Sequence, residues 1–98
     1  MNKLEKQING LILKFLNQVY PDGLSLKFII ALLYDWRIFT TETQIKKKNI
    51  SYLIEQGYIE IKDIQIPVVL DKVEKIRITE KGKALLEGEF IDEKVEFP

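Results

Sequence analysis

Residues 40–61 read TTETQIKKKNISYLIEQGYIEI, and residues 73–79, VEKIRIT, close the same region. The first part has helical spacing. With positions placed at about 100° each, Ile45, Ile50, Leu53 and Ile54 fall on one side, with Tyr52 at its edge. Gln44, Lys47, Lys48, Ser51 and Glu55 fall on the other side, and Lys46 leans toward the apolar side, where its stem must snorkel. Thr40 or Thr41 caps the start, Glu42 places an acid in the first turn, and Gly57 ends the helix in the left-handed conformation. From Tyr58 the period changes to two. Ile59 and Ile61 share a face of one strand, Ile76 and Ile78 share a face of the next, and these four are expected to cover the helices. Ile64 and Ile66 have the opposite parity, which implies either a bulge or an outward-turned apolar tip. Pro67 cannot donate to a ladder, so it marks that tip or an edge.

Upstream, Leu4, Ile8, Leu11, Ile12, Phe15, Leu16 and Val19 recur at three- and four-residue steps, which predicts a helix over residues 3–19. Gly10 inside it permits a close helix contact. Tyr20-Pro21-Asp22-Gly23 is a turn, and Ser25 caps a second helix through LKFIIALLY. Phe28, Ile29, Ile30, Leu32 and Leu33 make that helix apolar almost all round. Such a helix either lies at the centre of the core or shares one side with a second chain, and the central placement is the expectation here. Trp36 and Phe39 are expected to plug the core beside the following turn, and a short extra strand is expected near Leu24. Downstream, Thr79 caps EKGKALLE and Gly88 closes it. The tail EFIDEKVEFP has too few apolar residues to fold alone, but Phe90, Ile91, Val95 and Phe97 suit it to docking.

Ninety-eight residues, 46% hydrophobic and 31% charged, fit one globular domain over residues 1–88 followed by an acidic tail over 89–98. Cysteine and histidine are both absent, which removes disulfides, thiolate metal sites and the commonest general base. The carboxylates Asp22, Asp35 and Asp63 have no motif spacing, Ser25 and Ser51 have no histidine to activate them, and no phosphate loop is present. Catalysis, cofactors and metals are therefore not expected. No apolar run approaches the roughly 18 residues of a membrane span. MNKLEKQING has no signal-peptide pattern, so a cytoplasmic location is the expectation. The zero net charge is uneven. Up to Leu86 cations exceed anions by four, and from Glu87 onward Lys94 stands against Glu87, Glu89, Asp92, Glu93 and Glu96.

The order α-α-α-β-β-α makes the expected fold mainly helical with a small antiparallel hairpin, the plan of a winged helix-turn-helix. Leu53, Gly57, Tyr58 and Ile59, then Ile78, Thr79 and Gly82, resemble winged-helix regulators of the MarR and PadR kind, a pattern moderately specific for the fold that says little about partner. The small size and the ending VEFP also resemble, more distantly, small winged-helix proteins of Mu-like prophages. The resemblance implies a DNA-binding transcriptional regulator of phage or prophage origin.

Two readings of the chemistry stay open. In the first, the third helix enters the major groove of double-stranded DNA. Gln44 reads adenine, Thr41, Thr43 and Ser51 contact bases or backbone, and Lys46, Lys47, Lys48 and Lys72 meet phosphates. The acidic tail then competes with DNA for the lysines. In the second, the fold is a protein-interaction module without DNA binding, using the apolar wing residues Ile66, Pro67, Val68, Val69 and Leu70 or the tail. A homodimer is expected in either case, through the first helix and tail or, second, through the wing.

Overall fold

The computed structural model describes the backbone of residues 1–66 and 71–98, and side chains outside 63–73. Helix α1 spans Lys3–Gln18 and α2 spans Leu26–Asp35. Helix α3 covers residues 42–55 without a break: an α-turn at Glu42–Ile45, a π-helical turn at Lys46–Ile50, and α-helix again at Ser51–Glu55. Strands β1 (Ile59–Ile66) and β2 (Asp71–Ile78) pair antiparallel, and α4 spans Glu80–Leu86. The described residues therefore form a mainly helical fold with one small hairpin.

Each cap expected from the sequence has a visible bond. The backbone N–H groups of Phe28, Gln44 and Gly82 donate to the side chains of Ser25, Thr41 and Thr79 at the starts of α2, α3 and α4. All three helices also end alike. At α3, Tyr58 N–H reaches back to Leu53 O and Gly57 N–H to Ile54 O; at α4, Glu89 and Gly88 do the same to Ala84 and Leu85. This is the Schellman pattern, and Gly57 and Gly88 supply its left-handed residue. At α2 the same two bonds form from Ile38 and Arg37, but the left-handed position is held by Arg37 at φ 59°.

The core gathers one face from each element. Leu11, Ile12, Leu13 and Leu16 of α1, Ile29 and Leu33 of α2, Ile45 and Leu53 of α3, and Ile59, Ile76 and Ile78 of the hairpin are fully buried. The β1–β2 register runs one-to-one from Ile59↔Ile78 to Ile66↔Asp71, so the ladder holds no bulge among the described pairs. Leu24 bridges to Ile76 as the short third strand expected there. The segment Ile78-Thr79-x-x-Gly82 works as a joint. Thr79 donates from its hydroxyl to Gly57 O and from its N–H to Tyr58 O, and a side chain at Gly82 would collide with the Tyr58 carbonyl.

Four expectations need correction. Trp36 and Phe39 do not plug the core; they are 54% and 71% exposed, Trp36 at the end of α2 and Phe39 beyond the Arg37 turn that redirects the chain. Helix α2 is not central, since Phe28 and Tyr34 are exposed on one side. Ile61 is exposed although its partner Ile76 is buried, because Ile61 lines the open groove between α3 and the hairpin. Gly10 permits a close contact, but with the tail backbone at Glu96 rather than with a helix.

That tail is docked along α1. Glu96 N–H donates to Lys6 O (3.0 Å), Asn9 Nδ2 to Lys94 O (2.8 Å) and Lys14 Nζ to Pro98 O (2.6 Å), and Val95 is buried in the core. The expectations for Pro67, Val68, Val69 and Leu70, and for the side chains of Ile64, Ile66 and Lys72, fall outside the described residues. Among the described residues no helix is long and apolar enough to cross a membrane.

Candidate nucleic-acid interface

Helix α3 is fixed from behind and open in front. Behind, Ile45, Ile50 and Leu53 enter the core together with Asn49. Asn49 Nδ2 donates to Glu5 O at 3.0 Å and to Asn9 Oδ1 at 2.9 Å, tying α3 to α1. A buried amide is tolerable only with such partners.

The π-helical turn explains why this face differs from the one expected. A π-turn holds one more residue than an α-turn, so positions after it lag the regular helical sequence. Ile45 and Ile50 come onto one side, Leu53 stays inward, and Ile54 rotates out to 40% exposure. The expected burial of Ile54 is corrected by that lag; Asn49, four residues from both Ile45 and Leu53, lies on the inward side with or without it.

In front, Thr41, Thr43, Gln44, Lys46, Lys47, Lys48 and Ser51 are all exposed. Thr43, Lys47 and Ser51 form the central ridge at four-residue steps, which continues to Glu55. Gln44 and Lys48 lie on the flank toward the start of α1, beside a hollow that Leu4 and Phe39 also line. Lys46 lies on the flank toward the hairpin. Thr41 is committed as the cap of the helix, and the Ser51 hydroxyl donates back to Lys47 O at 2.6 Å. Contacts by these two hydroxyls would add to, or exchange with, those bonds. Lys72 cannot be placed against this face, because its side chain lies outside the described residues.

Between α3 and the hairpin lies an apolar groove of about 270 Å³, lined by Leu26, Ile50, Ile54, Ile61 and Ile76, with Lys46 and Glu74 at its edges. The outer face of the hairpin adds cations not weighed from the sequence. Lys62 pairs across the strands with Lys75, and Arg77 with Glu60. Two like charges placed directly opposite repel, so an anion held between Lys62 and Lys75 would relieve that repulsion. Strand parity alone would have located them.

The acidic tail does not cover the lysines of α3. Among the described residues the single ion pair is Arg77–Glu60, and the tail's Asp92 instead accepts the hydroxyls of Tyr52 and Tyr58, both at 2.7 Å. Burial, followed by the bond to Asp92, raises both tyrosine pKa values well above the usual phenol range. Partial burial opposes ionisation of Asp92, but the two hydroxyls, the Lys94 N–H and the Lys94 charge outweigh it and hold the carboxyl below the usual range. Among the described residues no cluster of three or more acidic groups is gathered as a metal site.

Comparison with models of known families, with curated proteins and with solved structures returns no match.

Proposed function

We propose that this chain is a winged-helix DNA-binding protein of the transcriptional-regulator type, with α3 as the helix that enters the major groove. The observation that carries the reading is the two-sidedness of α3. One side is anchored by Ile45, Asn49, Ile50 and Leu53, and the other presents Lys46, Lys47 and Lys48 with Gln44, Thr43 and Ser51 to solvent. A rigid helix with cations around one amide side chain suits phosphate positioning plus a base-edge contact. The element order, the Leu24 bridge and the Thr79 joint support the winged-helix arrangement and the resemblance to MarR- and PadR-like regulators. A prophage origin belongs to the same reading.

The second reading, a protein-interaction module, is favoured by the groove containing Ile54 and Ile61, since apolar side chains beside the lysines do little for a phosphate backbone. Amide chemical-shift mapping during titration with a mixed-sequence duplex separates the two. DNA binding by α3 predicts shifts concentrated in residues 41–51, with α1 and the tail quiet. No shifts at low salt, or shifts spread without regard to α3, would leave the interaction module as the better reading.

A further inference from the structure

Among the described residues, no element packs on one face of α2. Lys27, Phe28, Ala31, Tyr34 and Asp35 are exposed along a stripe of three- and four-residue steps, while Leu26, Ile29 and Leu33 are buried on the opposite side. Phe28 is 52% and Tyr34 63% exposed, and Phe39 continues the patch beyond the helix end. Tyr34 and Phe39 meet edge to face at 5.0 Å, so the aromatic end of the stripe is braced rather than loose.

The stripe is complementary to itself. Counting from Ala31, Phe28 lies three residues before and Tyr34 three after; Lys27 lies four before and Asp35 four after. A second α2 laid antiparallel, with a two-fold axis at Ala31, would set Phe28 against Tyr34 and Lys27 against Asp35, each twice. The smallest side chain would then sit where the two backbones come nearest. Among the described residues neither Lys27 nor Asp35 makes an ion pair within its own chain.

We propose that this face is the contact surface of a two-fold homodimer, with α2 packed antiparallel on the α2 of a second copy. Size permits it. Three aromatic side chains at this exposure offer on the order of 300–400 Å² per copy, and Lys27, Ala31 and Asp35 bring the face to about 500 Å², enough for an interface of roughly 1,000 Å² in total. The surfaces first expected for a dimer fit less well, since the apolar side of α1 is already occupied by the core and by Val95 of the tail. The aromatic pairs supply most of the attraction, and the two exposed ion pairs fix direction and register. The proposal stands apart from DNA binding and fails or holds without it.

The absence of cysteine makes the axis testable with one thiol. A residue on a two-fold axis meets its own mate, so Ala31→Cys should oxidise readily to a disulfide-linked dimer, whereas Gln18→Cys, exposed at the end of α1, should not. Light scattering at tens of micromolar should give twice the 11.5 kDa of one chain. Lys27→Glu and Asp35→Lys should each weaken self-association by about tenfold or more, because each turns both ion pairs into repulsions. An equimolar mixture of the two variants restores opposite charges at every pairing and should form the heterodimer. A monomeric wild type would overturn the proposal, as would equal cross-linking at both thiols, or charge variants that self-associate normally without preferring each other.

Discussion

Asn49 of α3 donates to Asn9 of α1 across 2.9 Å, and both side chains are buried. Asn9 in turn donates to Lys94 O, so one amide chain joins the proposed DNA-facing helix, the first helix and the tail. Removing one end leaves the other polar group unpaired in the core. Asn49→Ala should lower stability by about 1–3 kcal/mol. Asn9→Ala and Asn49→Ala together should lose less than their sum, by about 1 kcal/mol or more, because they share a bond. Urea midpoints of the four proteins provide the check, and strict additivity would show that the two amides act independently.

The Asp92 carboxylate gives the fold a dependence on acid. Its folded pKa lies below the unfolded value, so its contribution is present above about pH 4 and is lost as pH falls through the lower folded pKa. Asp92→Asn should therefore lower stability at pH 7 and flatten the decline in stability between about pH 5 and pH 2. Tyr52 and Tyr58 shift the other way, and their contribution is present below about pH 10 and lost at higher pH. Spectrophotometric titration of folded protein should find two phenols ionising late. An unchanged acid slope in the variant would place the acid sensitivity elsewhere.

Neighbouring residues on α3 should respond very differently to truncation. Leu53 is fully buried and Ile54 is exposed. Leu53→Ala should destabilise by about 2–5 kcal/mol, and Ile54→Ala by well under that. Equal losses in thermal or urea unfolding would contradict the phase shift produced by the π-turn.

Arg37 holds the left-handed position that glycine holds at the ends of α3 and α4. Arg37→Gly relieves the Cβ crowding and should stabilise by about 0.5–1 kcal/mol, despite the greater freedom of glycine in the unfolded chain. On a chain of this size that is a rise of a few degrees in Tm. A lower Tm would mean that the guanidinium makes a stabilising contact outweighing the strain.

Much of this fold was legible because caps and period changes are local. Ser25, Thr79, Gly57 and Gly88 announce element ends through bonds spanning only a few residues. The misplaced residues share another cause. Ile54 and Ile61 depend on a π-turn and on the open groove between α3 and the hairpin, neither of which is local in sequence. Hydrophobicity alone points Trp36 and Phe39 to the core, yet both are exposed, and nothing in the residue type forecasts the left-handed Arg37 that redirects the chain before Phe39. On the candidate site, the exposure of Lys47 and Lys48 followed from the helix period, whereas Lys46, expected toward the apolar side, is exposed as well. The docking of the tail on Asn9, Tyr52 and Tyr58 had no sequence signal beyond its few apolar residues.

The most direct test of DNA recognition by α3 is the salt dependence of binding to one duplex, by fluorescence anisotropy, for wild type and for the variant carrying Lys47→Ala and Lys48→Ala. Each phosphate contacted by a lysine releases counterions and adds about 0.9 to the slope of log affinity against log salt. The account predicts measurable wild-type binding at low salt, weaker binding by the variant on every sequence, and a slope shallower by up to about 2. No binding by the wild type, or superimposable curves for the two proteins, would contradict it.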